Sequence, residues 1–281
     1  MRAIFTVYKR ELAIYFRSPI AYAIAFALML FMGLQFSYAL IFATQANIQA
    51  QQFGGGQQYT LMTILGSVQL LTFLMFLVGP LLTMRLIAEE NREGTLEVLM
   101  TLPMNEYEFI VGKFLASWTY YTFILVLTLV HAWLGSAVGN LDYGLLIGQY
   151  VGAWLYGAAV LAICLIWSAV TEDQLVAAFL GALSVLVLYV SNWAYEYVIN
   201  LSIFINSQIP GAELQNEFEH QLGEFVRQLG EFVRQLGVGV HYTETMSLGI
   251  IRLEDIAYFV FMTIAALFIT TRIVETRRWR S

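Results

Sequence analysis

The sequence predicts an all-α polytopic membrane protein with six transmembrane helices. Of the 281 residues, 59% are hydrophobic and only 12% are charged, whereas charged residues make up about 25% of a typical soluble domain. The mean hydropathy is +0.69, and uncharged stretches of membrane-spanning length recur along the chain. We predict a single domain over residues 1–281, because several spans of about 20 residues each leave little mass for a separate soluble unit.

Residues 1–17 predict an amphipathic helix that lies in the headgroup plane of the membrane. The apolar side chains share one side of a helical wheel, namely Ile4, Phe5, Tyr8, Leu12, Tyr15 and Phe16. The opposite side carries Arg2, Thr6, Lys9, Arg10, Ala13 and Arg17. Charges at 9–11 interrupt any signal-peptide core. A merely charged tail is the alternative, but the separation of the two faces favours the interfacial helix.

The uncharged stretches give the positions of the spans. Five have full spanning length, at residues 19–43, 61–84, 114–138, 145–170 and 175–195. A sixth, at 256–271, is short, and it reaches adequate length if Arg272 extends its guanidinium into the headgroups while the helix continues to Val274.

Basic residues predict that both termini are cytoplasmic. Eleven of the 14 fall on one side of a six-span chain, namely Arg2, Lys9, Arg10, Arg17, Arg85, Arg92, Lys113, Arg272, Arg277, Arg278 and Arg280. Such an excess of Lys and Arg marks the cytoplasmic face. Without a sixth span, the C-terminal arginines would lie on the opposite face. The predicted location is therefore the cell (inner) membrane, and the net charge of −6 argues against nucleic acid as a partner.

The most charged segment lies in the predicted cytoplasmic loop at 85–108. Its eight charged side chains would cost on the order of 20 kcal/mol at the bilayer centre. Gly94 should end the preceding helix, Thr95 should cap a short helix, and Pro103 should stop that helix. Asn105 with Glu108 matches a capping box that starts the third span. The sequence thus predicts a rigid, charged knob between two spans.

The loop contains a recognisable pattern, RLIAEENREGTLEVLMTLP at 85–103 followed by VGKF at 111–114. This pattern resembles the type-2 ABC transporter permeases, in particular the bacterial exporter branch that includes gliding-motility-associated permeases. The resemblance implies that the short helix is a coupling helix, which contacts a nucleotide-binding subunit. The positions that match it are Glu89, Glu90, Arg92, Glu93, Gly94, Thr95, Glu97, Leu99 and Pro103. A solvated connector, charged only to stay out of lipid, is the alternative interpretation.

The chain itself carries no phosphate-binding motif for ATP. Gly112-Lys113 is followed by Phe114 and lacks the upstream glycine of a P-loop, and Gly54-Gly55-Gly56 has no lysine. We therefore expect no catalytic site, cofactor or metal in this chain. The resemblance implies a separate ATPase subunit that binds ATP and Mg, a second permease copy, identical or not, and substrate movement across the membrane, with export as the implied direction.

Polar residues within the spans bear on rival functions. They are Gln35, Gln69, His131, Gln149 and Asn192. A secondary transporter would normally carry ionisable residues for ion coupling, and only His131 is available, which is more often a packing residue. The glutamines and the asparagine suit a pathway or interhelical hydrogen bonds, the latter slightly favoured. The chain shows no catalytic motif that would support a membrane enzyme. A non-catalytic membrane interaction protein stays a further alternative.

The largest extramembrane segment, 196–255, contains a seven-residue duplication. QLGEFVR at 221–227 recurs at 228–234, and this spacing keeps one apolar stripe along residues 213–237. We expect an amphipathic helix on the outer face. It could form an outer gate or a dimer contact, or it could be a membrane-lying decoration expanded by duplication.

Overall fold

The computed structural model describes residues 2–52, 59–95, 105–137, 142–208, 228, 231–232, 234–235 and 237–278. These residues form helices and no β-strand, so the all-α fold is confirmed for them. Six helices are long and apolar enough to cross a membrane, namely Pro19–Ala46, Val68–Arg92, Glu106–Ser136, Tyr143–Val170, Gln174–Ser191 and Leu253–Thr276. The predicted number of spans agrees with this result.

We number the helices in chain order: α1 Arg2–Arg17, α2 Pro19–Gln52, α3 Tyr59–Thr83, α4 Ala88–Arg92, α5 Glu106–Ser136, α6 Tyr143–Val170, α7 Gln174–Gln208, α8 Val238–Thr243 and α9 Leu253–Arg278. The apolar range at 68–92 joins the end of α3 to a charged loop. We take α3 as the span, because residues 85–92 carry four charges that lipid would exclude.

Several helices extend beyond their predicted ends. Helix α2 continues to Gln52 rather than 43, and α7 continues to Gln208 rather than 195. Helix α5 begins at Glu106, directly after the predicted cap Asn105 and before the uncharged stretch at 114–138. An uncharged stretch reports the part of a helix that lipid can surround, whereas backbone hydrogen bonds continue a helix into water or against other protein segments. The hydropathy pattern therefore placed the spans correctly and underestimated the helices.

Helix α6 forms the centre of the bundle and packs against α3, α7 and α9. Its middle turns, from Ala158 to Leu165, are buried and consist largely of small or β-branched apolar residues. Helices α2, α7 and α9 instead leave large apolar side chains exposed, among them Phe26, Phe179 and Phe261. Exposed apolar faces of this kind are what lipid-contacting helices require.

Helix α1 is present over most of the predicted range and packs along α5. Its buried side chains are Val7, Glu11 and Tyr15, which recur every four residues and therefore share one face. Phe5, predicted on the apolar face, is 55% exposed. The packed face thus includes most of the predicted apolar stripe, and Val7 and Glu11 are additions to it. The stripe members that pack against the core are Tyr8, Leu12, Tyr15 and Phe16.

The described part of the predicted outer segment, at 237–252, packs into the bundle. Helix α8 and a 3₁₀ turn at Met246–Leu248 contact α6 and α7. The Gln149 side chain donates a hydrogen bond from Nε2 to the Ser247 carbonyl at 2.8 Å. Gly249 has φ +78°, and a Cβ built on Gly148 would lie 2.6 Å from its Cα. Most of the predicted helix at 213–237 lies outside the described residues.

Candidate functional site

The loop at residues 84–95, which follows α3, carries most of the predicted coupling residues. Helix α4 occupies its middle, with Glu89 and Glu90 in the first turn, where the helix dipole favours negative charge. Gly94 has φ +69° and donates from its backbone N–H to the Asn91 carbonyl at 3.3 Å. A left-handed residue at this place ends the helix, as predicted for Gly94.

A serine on α6 fixes the start of this loop. The Ser168 hydroxyl accepts hydrogen bonds from the backbone N–H groups of Ile87 and Ala88, each at 3.1 Å, and donates to the Met84 carbonyl at 3.2 Å. Met84 and Ile87 lie in the turn between α3 and α4, and Ala88 is the first residue of α4, whose N–H has no partner within the helix. The 84–95 loop is thereby attached to the end of the central helix.

Four charged residues from three elements meet beside the loop, and we call them the charged quartet: Arg10 and Glu11 of α1, Glu90 of α4 and Lys113 of α5. The Lys113 ammonium lies 3.0 Å from Glu11 Oε1 and 3.0 Å from Glu90 Oε1. Arg10 Nη2 contacts the same two oxygens at 2.6 and 2.8 Å. Two cations thus neutralise two carboxylates.

Two members of the quartet, Glu11 and Lys113, are buried, while Glu90 is half-buried and the Arg10 side chain is 46% exposed. Lys113 is 1% exposed and Glu11 is 5% exposed, whereas ordinary lysines and glutamates remain in water unless paired. The Phe109 ring adds a cation–π contact, with its centroid 4.8 Å from Lys113 Nζ. Burial lowers the pKa of Arg10, but hydrogen bonds with Glu11 and Glu90 and their negative charges raise it above its ordinary value.

Two further contacts join α1 and the residue that follows it to the end of α3 and to the 84–95 loop. The Tyr15 hydroxyl donates to the Leu82 carbonyl at 2.6 Å, and Arg85 Nη2 donates to Ser18 Oγ at 3.2 Å. Burial raises the pKa of Tyr15, and the Glu11 charge raises it further, so the phenol keeps the proton that it donates. Hydrogen bonds and ion pairs therefore connect α1 to both the end of α3 and the 84–95 loop.

A cleft of about 610 Å³ opens between α1 and the 84–95 loop. Its walls include Arg10, Glu11, Ile14, Tyr15, Leu82, Arg85, Leu86, Glu89, Glu90, Glu93, Thr95 and Lys113. Glu90 Oε2 is buried and has no hydrogen-bond partner within the described part of the chain. A cleft with charged walls of both signs can receive a polar protein segment.

The predicted coupling residues fall into two groups. Glu89, Glu90, Glu93 and Thr95 line the cleft, and Arg92 and Gly94 are exposed beside it. Glu97, Leu99 and Pro103 lie outside the described residues, as does the short helix predicted at 96–102.

The predicted capping box at Asn105 is wrong in its main contact. Asn105 is the N-cap of α5 and its carbonyl accepts from the Glu108 and Phe109 N–H groups, but its side chain makes no capping hydrogen bond. The Asn105 carbonyl, rather than its side chain, makes the bonds that start this helix. Glu106 and Glu108 still occupy its first turn, where negative charge is favourable.

The polar residues predicted within the spans make separate contacts. Gln149 bonds the outer segment, as described above, and buried His131 contacts its own helix through the Thr128 carbonyl at 3.3 Å and the Phe36 ring. Gln35 is half-buried and Gln69 is exposed. The Asn192 side chain lies outside the described residues. The contacts of Gln149 and His131 support hydrogen-bonding and packing roles rather than a shared ion pathway.

The sequence analysis did not identify Arg10, Glu11, Lys113 or Ser168 as site residues. Lys113 stood at the edge of an apolar stretch, where a basic residue normally reaches the headgroups. The adjacent charges at 9–11 were a detectable signal, because they lie within an otherwise amphipathic helix. Ser168 offered no signal, since a hydroxyl in an apolar helix usually bonds its own backbone.

The chain was then compared with known proteins. A family model described as ABC-2 family transporter protein matches residues 5–273. The matched range includes almost all of α1, five complete spans and most of the sixth, the charged quartet and the described part of the 196–255 segment. No curated protein matches the chain.

Proposed function

The chain belongs to the ABC-2 transporter family, and from that premise we propose that it is the subunit through which a separate ATPase drives export across the inner membrane. Permeases of this family form the membrane part of ABC transporters and generally dimerise and work with an ATPase subunit. The resemblance of residues 85–103 extends the proposal to the exporter branch that includes gliding-motility-associated permeases.

The observation that carries this proposal is the attachment of the 84–95 loop to the membrane helices. Ser168 holds the loop on α6, and the charged quartet holds it on α1 and α5. A partner that moves the loop would therefore act directly on the central helix of the bundle. Glu89 and Glu93 stand four residues apart at the cleft, so they present neighbouring carboxylates to that partner.

Removing two charges from the loop should weaken its contact with the ATPase. In Glu93→Gln with Glu97→Gln, the loop stays polar, but charge-assisted hydrogen bonds to basic partner residues, worth roughly 1.5–3 kcal/mol each, are lost. We expect less ATPase to co-purify and ATP turnover of the complex to lose its stimulation. The measurement is co-purification with the ATPase subunit and ATP turnover of the complex, at equal membrane levels of each variant.

The control is Glu254→Gln, which removes an exposed carboxylate from the first turn of α9. It should leave binding and turnover unchanged. Unaltered binding and turnover in the double variant, together with a silent Leu99→Pro, would reduce the loop to a solvated connector and remove the main support for coupling.

The proposed orientation places both termini in the cytoplasm. We expect Ser281→Cys, with Cys164→Ala to remove the native thiol, to resist a membrane-impermeant maleimide in intact cells and to react after permeabilisation. Leu248→Cys is the positive control, because Leu248 is exposed on the outer segment. Labelling of Ser281→Cys in intact cells would contradict the orientation.

A further inference from the structure

Stability alone does not explain why charged residues occupy the contact between α1, α5 and the 84–95 loop. Helix α1 meets α5 through Val7 and Tyr15 on either side of Glu11, so apolar residues could hold the same contact. A buried ion pair roughly breaks even against well-packed apolar side chains, because removing charges from water costs about as much as their attraction returns. We therefore look for the role of the quartet in the way it fixes the positions of α1, α5 and the 84–95 loop relative to one another.

That geometry centres on a single ammonium group. Lys113 Nζ stands between carboxylates from two other elements, Glu11 of α1 and Glu90 of the 84–95 loop, at 3.0 Å from each. Arg10 closes the arrangement by contacting both of the same oxygens. Hydrogen bonds of this kind require short distances, so the loop cannot move away from α1 without breaking several of them together.

The loop has a second, different attachment. Ser168 binds the backbone at Ile87 and Ala88 to α6, and this contact does not involve α1. One end of the loop is thus attached to the central helix by a hydroxyl, while Glu90 is attached to α1 and α5 by charge. The two attachments can be broken independently by substitution.

We propose that Lys113 is a positioning residue that locks α1 to the 84–95 loop, so that displacement of the loop passes to α1 as well as to α6. This inference rests on the proposed function, in which an ATPase displaces the loop. It assigns α1 an active part in coupling, rather than the passive role of a helix that rests on the membrane surface.

The test is hydrogen–deuterium exchange of the permease–ATPase complex in lipid nanodiscs, compared without nucleotide and after trapping with ATP and vanadate. In the wild type, amides of 84–95 and of α1 should change their exchange together between the two states. In Lys113→Met, of the quartet only the partly exposed Arg10 still joins α1 to Glu90, so the loop amides should still respond, whereas the response of α1 should be reduced. Lys113→Arg keeps a cation with several donors and should restore the joint response.

Glu90→Gln provides a second variant that leaves the Glu11–Lys113 pair in place, in case Lys113→Met does not fold. It should also reduce the α1 response. A response of α1 in these variants equal to that of the wild type would overturn the inference, as would a wild-type loop that responds while α1 does not. If no ATPase binds the wild type, the proposed function itself fails, which is a separate outcome.

Discussion

Lys113→Ala should lower the free energy of unfolding by about 3–5 kcal/mol, the cost typical of removing one partner from a buried charge pair. The substitution leaves Glu11 and Glu90 close together with only Arg10 to neutralise them. One buried negative charge is then uncompensated, and truncation of the lysine side chain leaves a cavity. The measurement is the apparent unfolding temperature in detergent, followed by tryptophan fluorescence at matched protein and detergent concentrations.

The control is an ion pair with the same chemistry in an exposed place. Arg272 Nη1 contacts Glu275 Oε2 at 2.7 Å, but the arginine side chain is 62% exposed. Exposed pairs contribute about 0–1 kcal/mol, so Arg272→Ala should hardly change the unfolding temperature. Equal effects of the two substitutions would show that burial does not set the strength of the quartet.

An apolar replacement separates stability from coupling. Lys113→Met combined with Glu11→Leu and Glu90→Leu removes the buried charges together, leaving only Arg10, which can turn its guanidinium to water. The triple variant should recover much of the stability that Lys113→Ala loses, because apolar packing can replace buried ion pairs at little net cost. If our inference about α1 is correct, the recovered protein should still fail to pass loop displacement to α1.

The sequence was sufficient for the spans because their signal is local. About 20 consecutive apolar residues are needed to cross a bilayer whatever the rest of the chain does, so α3 and α6 could be located from composition alone. Helix ends were less predictable. Whether α2 ends at 43 or 52 depends on the surroundings of those turns, and Asn105, at the predicted start of α5, caps the helix through its backbone rather than its side chain.

The charged quartet could not be predicted, because its members are distant in sequence. Glu11 and Lys113 are 102 residues apart, and Glu90 and Lys113 are 23 apart. Each charge taken alone has an ordinary explanation, as the polar side of an amphipathic helix or as a residue at the end of a span. Only the packing of α1 on α5 shows that these charges are buried together.

Close backbone contacts are equally hidden in a sequence, and Gly249 provides the strongest example. Its φ of +78° is unfavourable for any residue with a Cβ, and an added Cβ would lie 2.8 Å from Leu145 Cα, a backbone atom that cannot turn aside. Gly148 of α6 lies against Gly249, since a Cβ added to Gly148 would lie 2.6 Å from Gly249 Cα. The pair therefore seats the described outer segment against the central helix.

We expect Gly249→Ala to destabilise the protein by about 3 kcal/mol, combining a left-handed backbone cost of about 1–2 kcal/mol with overpacking of about 1–3 kcal/mol. Gly94→Ala is the matched control, because Gly94 has φ +69° but no atom within 4 Å of its added Cβ. It should show the backbone cost alone.

The measurement is the apparent unfolding temperature of both variants, with limited proteolysis of the outer segment in intact membranes. A larger loss in Gly249→Ala, accompanied by faster cleavage near 237–252, would assign the difference to packing against α6. Equal losses would mean that the outer segment can shift away from α6 at no cost, and that its seating does not stabilise the bundle.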